Sequence, residues 1–168
     1  DTAAGFHYAF ALDAAPFADT SYAGNGSTAS QSYTFSDGLD SHVVRGLIID
    51  KDDGYTEYTT TVTVNNEPPT TTITFDPAAP NGLNGWYTSN VQVTLSASDT
   101  GSGVASTEYS LNSATGPWTA YVGPFDVTDE GTTVVYYRST DNAGNVEAAK
   151  SASIKIDQTV PETTHVLD

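Results

Sequence analysis

Short runs of alternating apolar and polar residues recur along the whole chain, separated by Gly, Asn, Asp and Pro. Val91, Val93 and Leu95 alternate with Gln92, Thr94 and Ser96, the pattern of a strand with one buried and one wet face. No stretch keeps apolar residues at i, i+3, i+4 and i+7 for three turns, so helices are not expected. The pattern predicts strands at "FHYAFAL" (6–12), "QSYTF" (31–35), "HVVRGLIID" (42–50) and "YTEYTTTVTV" (55–64). A second set follows at "TTTITF" (70–75), "VQVTLSAS" (91–98), "ASTEYSL" (105–111), "TTVVYYRST" (132–140) and "SASIKI" (151–156). Strands at this spacing argue for an all-β fold, a β-sandwich.

The two sets meet at "NNEPPTTT". Pro68 and Pro69 have no amide to give to a ladder, so they end one sheet and stiffen the passage to the next. Pro69-Thr70-Thr71-Thr72 and Pro161-Glu162-Thr163-Thr164 echo each other, and Phe75-Asp76 and Leu167-Asp168 follow them at the same distance. The expected organisation is therefore a first domain over 1–66, a second over 67–157 and the opening of a further repeat over 158–168. About four strands precede the proline link where a sandwich takes about seven. The first domain is expected to lack one or two N-terminal strands, as in a fragment of a longer tandem array.

Motifs sharpen this outline. Residues 1–66, with "FHYAFALD" and "YTFSDGLDSHVVRGLIIDKDDGYTEYTTTVTVNN", resemble the C-terminal part of a PKD-type (cadherin-like) Ig-like domain. Residues 70–157 resemble a bacterial Ig-like surface repeat. The resemblance rests on "WYT" (86–88), "VTLSASDTGSGV" (93–104), "YSLN" (109–112), "GPWTAY" (116–121) and "YRSTDNAGNVE" (137–147). It implies a β-sandwich with a role as spacer, stalk or adhesive module at or beyond the cell surface; together the two resemblances imply tandem Ig-like β-sandwiches.

Composition narrows the partners. With 21 acidic against 5 basic residues the formal charge is −16, which repels nucleic acid and anionic membranes. No apolar run is long enough for a membrane span. Cysteine is absent, which removes disulfides, thiolate metal sites and cysteine nucleophiles, and three scattered histidines do not suggest a zinc site. The Thr, Ser, Gly and Asn enrichment suits a secreted bacterial protein.

Several stretches invite chemistry. Ser102 sits between Gly101 and Gly103, but a nucleophile elbow is G-x-S-x-G on a strand-to-helix turn, and the serine needs a base. His165 falls in the next repeat. Asp50, Asp52 and Asp53 crowd one hairpin turn rather than facing each other across a cleft, so they do not form a glycosidase pair. They also fail as an EF-hand: with Gly54 as the sixth position, Ile49 and Thr60 occupy the first and twelfth. They remain weaker calcium candidates.

The resemblance places the turn at Asp99 near the turn at Asp141. Asp99, Ser102, Asp141, Asn142 and Asn145 would then be close enough to share a Ca²⁺ ion, the one cofactor the sequence suggests. The same residues suit Asx-turns, in which the carboxylates bond turn amides. Trp86, Tyr87, Trp118 and Tyr121 offer a glycan-stacking platform, or else belong to the core and its edge. Asn25-Gly26-Ser27 matches a glycosylation sequon and equally an Asn-Gly turn.

The expectation is a non-enzymatic extracellular spacer whose partners are neighbouring repeats of its own chain. The alternatives are a module binding polysaccharide or another adhesive target, and a filament or surface-layer component that assembles with copies of itself by strand exchange.

Overall fold

The computed structural model describes residues 5–35 and 38–163, and the chain divides into two compact units at Glu67/Pro68. His165 and the Leu167–Asp168 end of the echoed motif lie outside the described residues.

The first unit contains one antiparallel sheet of β1 (His7–Leu12), β2 (Asp40–Ile49) and β3 (Tyr55–Val64), in that order. The register pairs His7 with Ile49 and Leu12 with Val44, then Asp40 with Val64 and Ile49 with Tyr55. Side chains alternate between faces. One face carries Ala9, Leu47 and Ile49, buried beneath Phe17 and Tyr22 from the long connection between β1 and β2. The other carries Tyr8, Phe10, Gly46, Ile48 and Tyr58, and no second sheet covers it among the described residues. Residues Tyr55 to Thr63 are all exposed.

The expected strand at 31–35 does not form. Tyr33 and Phe35 alternate as strand residues do, yet their rings stack on each other, with centroids 6.5 Å apart. Phe35 also stacks on His42 at 4.2 Å. Ring packing has replaced ladder pairing.

Among the described residues the second unit is a seven-stranded sandwich. One sheet has the order β4 (Thr70–Asp76), β5 (Val91–Ser98), β8 (Phe125–Val127). The other has the order β10 (Lys150–Ile156), β9 (Gly131–Asp141), β6 (Val104–Leu111), β7 (Thr119–Ala120). All pairings are antiparallel. A constant-type immunoglobulin domain sets four strands against three, with the extra strand on the sheet of the first two. Here the extra strand is β7, at the edge of the other sheet.

Between the sheets lie Val91, Val93 and Leu95 from β5, Val127 from β8, Val135 and Tyr137 from β9, and Ile154 and Ile156 from β10. Tyr87, on the loop before β5, completes this core. A parallel bridge binds it to the end of β10: Tyr87 N–H donates to Lys155 O at 2.8 Å, and Asp157 N–H to Tyr87 O at 2.9 Å.

The inward row of β9 reads Thr133, Val135, Tyr137, Ser139, Asp141, and every member is buried. It is apolar in the middle and polar at its C-terminal end, where the loops of interest meet.

Candidate functional site

The Asp99 and Asp141 turns come together as expected. Asp99, following β5, accepts the Gly101 and Gly103 amides on one oxygen at 2.9 and 2.7 Å, an Asx-turn. Gly103 adopts φ +84°, which a side chain would resist. Across the gap, Asn142 N–H donates to Gly103 O at 2.9 Å. Its side-chain amide donates to Ser102 O and Gly103 O at 2.9 and 3.0 Å. Ser102 Oγ accepts the Ala143 amide at 3.0 Å, which gives the serine between glycines a structural task.

Asp141 is 2% exposed. Its Oδ1 accepts Asn145 N–H at 2.7 Å, and its Oδ2 accepts the Asn145 side-chain amide at 2.8 Å. Burial alone would raise its pKa. Donors from Asn145, Ser102 and Gly144 outweigh burial and hold the carboxyl below its ordinary 3.8. The five candidate calcium ligands are thus neighbours, and N–H donors already face Asp99 Oδ2, Ser102 Oγ and both Asp141 oxygens.

Sequence reasoning missed a second cluster beside them. Glu147, 6% exposed, accepts Thr71 N–H at 3.0 Å and Lys150 Nζ at 2.5 Å on the same oxygen. Lys150 also donates to Thr71 O at 2.9 Å. Thr71 Oγ1 and Ser139 Oγ lie 2.6 Å apart, and Thr107 Oγ1 reaches the same Ser139 hydroxyl at 2.8 Å. Burial opposes ionisation of Glu147, but hydrogen bonds from Lys150 and Thr71 prevail and lower its pKa from 4.5. This network ties β4 of one sheet to β6, β9 and β10 of the other. The available signal was the polar end of the β9 alternation, Ser139 and Asp141 at positions where the period demands burial.

The aromatic candidates disperse. Tyr87 is 5% exposed in the core. Tyr121 receives the Leu95 amide on its hydroxyl at 3.1 Å and sets its ring against the edge of Phe125. Trp118 lies under the Arg138 guanidinium, 4.2 Å from the ring centroid, and Trp86 is half-buried. With Tyr87 in the core and the Tyr121 hydroxyl engaged by β5, the four do not form a shared flat platform.

In the first unit Asp50, Asp52 and Asp53 build the β2–β3 turn. Asp50 Oδ1 accepts the Asp52 and Gly54 amides at 3.0 and 2.8 Å. Asp53, at φ +66°, turns its carboxylate to Tyr22 N–H at 2.7 Å, while Asp52 pairs with Lys51. Among the described residues no three His, Cys, Asp or Glu side chains are grouped so as to hold a metal ion. The sequon residue Asn25 donates its side-chain amide to Asp19 O and Ser21 O, and the neighbouring Gly26 bridges to Tyr8.

No family model and no curated protein matches the chain. Among solved structures, the fibronectin(III)-like modules of Clostridium thermocellum CbhA align with 95% of this chain and 83% of that one, at 12% identity and a TM-score of 0.39. The all-β, Ig-like character of the fold rests on the strand order and register above.

Proposed function

We propose that the chain is a non-catalytic spacer segment of a larger extracellular protein, its units connected by proline-marked links and its natural partners the adjoining repeats. One observation supports this most. In the second unit Asp99, Ser102, Asp141 and Glu147, the groups best suited to chemistry, each hold one piece of backbone to another. Groups engaged in this way give shape rather than turnover. Pro69, buried in the second unit, and Pro68 beside it restrict the joint without any side-chain chemistry.

A spacer acts through its dimensions, and this can be tested directly. The chain is placed between a reporter domain and a cell-surface anchor, then deleted or exchanged for an unrelated β-sandwich pair of equal size. Deletion should reduce access of a large antibody to the reporter, and exchange should restore it. Loss of access on exchange would count against the reading.

A second reading, self-assembly by strand addition, is favoured by β3. It pairs only with β2 among the described residues, and Glu57, its single charge, is neutralised by Arg45 at 2.6 Å. Natural sheets usually blunt such an edge with charge or proline. Light scattering that shows growth with concentration would support assembly, and a constant monomer mass would end it.

A further inference from the structure

We infer that Asn84 is a self-modification site, at which the Gly85 backbone nitrogen converts the side chain to aspartate or isoaspartate; this is independent of the spacer reading. Asparagine is a chemically labile residue, and the sequence sets it before glycine at Asn25-Gly26, Asn81-Gly82 and Asn84-Gly85. Glycine carries no Cβ to shield its own nitrogen, so the three pairs are equal candidates by sequence. The structure separates them.

Asn25 is half-buried, and its side-chain amide donates to Asp19 O and Ser21 O at 3.1 and 3.0 Å. Asn81 accepts the Thr88 amide on Oδ1 at 2.7 Å. The nitrogen that would attack it, Gly82 N, donates to Trp86 O at 2.8 Å. A Cβ on Gly82 would meet Trp86 O at 2.9 Å, so that stretch of backbone is closely covered as well.

Asn84 differs on each count. It is exposed, and its side chain makes no hydrogen bond among the described residues. Gly85 is exposed too, and no atom outside its own turn lies within 4 Å of where a Cβ would stand. Asn84 holds φ 56° and ψ 29° in a single turn over Leu83–Gly85, closed by Trp86 N–H donating to Leu83 O at 3.2 Å. That bond is at the long end of the normal range, so little resists rotation about the Asn84 Cα–C bond to bring Gly85 N onto Cγ.

The chemistry balances with water alone. Gly85 N gives its proton to hydroxide or water and bonds to Asn84 Cγ, while the Cγ–Nδ2 bond breaks and ammonia leaves. Water then opens the five-membered imide. Cleavage of the new Cγ–N bond leaves aspartate; cleavage of the original backbone C–N bond leaves isoaspartate. Either product adds one negative charge. Isoaspartate also lengthens the main chain by one carbon, three residues before Tyr87 enters the core.

The test uses the whole chain, held at mildly alkaline pH and then digested with an endoprotease that cuts before aspartate. Peptide 76–98 carries both Asn81 and Asn84, and tandem mass spectrometry locates the change within it. Each hydrogen bond that must open first slows ring closure about fivefold, so the pair at Asn81 and the pair at Asn25 predict conversion roughly 25-fold slower than at Asn84. In concentrated urea the three rates should converge, because the bonds that separate them are gone. Asn84→Gly takes up the same positive φ without strain; it should abolish conversion at this position and leave the melting temperature unchanged. The inference is overturned if Asn25 or Asn81 converts as fast as Asn84 in the folded chain. It is equally overturned if Asn84 stays intact while the urea-unfolded chain converts, or if its lead persists in urea, which would place the cause in the sequence and not in the fold.

Discussion

Removing the Glu147 side chain is the sharpest probe of the stitched end of the second unit. The perturbation is Glu147→Ala. It leaves the amide of Thr71, a residue 2% exposed, without its acceptor, at about 1–3 kcal/mol. The lost ion pair adds under about 1 kcal/mol, because the Lys150 side chain is 41% exposed and its ammonium can turn to water. Relief of the desolvated Glu147 Oε2, which is buried with no partner, works in the opposite direction. The expected loss is about 2 kcal/mol, which lowers the melting temperature of a unit this size by roughly 8–16 °C. Urea unfolding followed by tryptophan fluorescence isolates the effect, because both tryptophans, Trp86 and Trp118, belong to the second unit. The midpoint should fall with an unchanged slope, and Lys150→Met should cost at least as much, because it leaves the buried Glu147 carboxylate without its counter-ion and Thr71 O without its donor. A loss below about 0.5 kcal/mol for Glu147→Ala, the range of ordinary surface changes, would refute the reasoning. A Lys150→Met variant with an unchanged midpoint would show that the buried carboxylate needs no counter-ion and refute it as well.

Three further outcomes follow from the same geometry. Tyr87→Ala should cost about 3–5 kcal/mol as a core truncation, while Trp118→Ala loses only a partly exposed cation–π contact of about 0.5–1 kcal/mol; comparing the two melting temperatures checks the order. Calcium and chelator should give the same melting temperature for the unaltered chain, because amide donors already occupy Asp99 Oδ2 and both Asp141 oxygens; a rise of several degrees with calcium that Asp99→Asn abolishes would show a bound cation. Asp141 and Glu147 have folded pKa values below the 3.8 and 4.5 of the free groups, so the unfolded chain takes up protons first as the pH falls. Their contribution to stability is therefore present above about pH 4.5 and lost on acidification through their lowered values; urea midpoints at pH 7, 5 and 3 should decline in that order, and less steeply in Glu147→Gln.

The strands of the sandwich were legible where they alternate: Val91, Val93 and Leu95 are buried and Gln92 is exposed, as the period requires. The two shortest strands, Thr119–Ala120 and Phe125–Val127, were not predicted, since two or three residues carry no period. At 31–35 the period was present but misled, because aromatic stacking on His42 satisfies Tyr33 and Phe35 without a ladder. The meeting of the Asp99 and Asp141 turns was anticipated from the motifs, while the direction of each donor was not. Residue types alone do not tell whether an asparagine offers its oxygen or its amide. The Glu147 network escaped notice because Thr71, which it holds, lies 68 to 79 positions from Ser139, Glu147 and Lys150 in sequence.

The parallel bridge between Tyr87 and the end of β10 has a mechanical consequence. A pull along the chain at Asp157 runs parallel to β10, so the bonds Tyr87 N–H to Lys155 O and Asp157 N–H to Tyr87 O lie across the load. Bonds loaded in this way must yield together, whereas the same bonds loaded end-on would open one at a time. The Tyr87 ring, locked in the core, passes that tension into the β4–β5–β8 sheet. The bridge thus makes the sandwich resist stretching as one body rather than peel from its last strand.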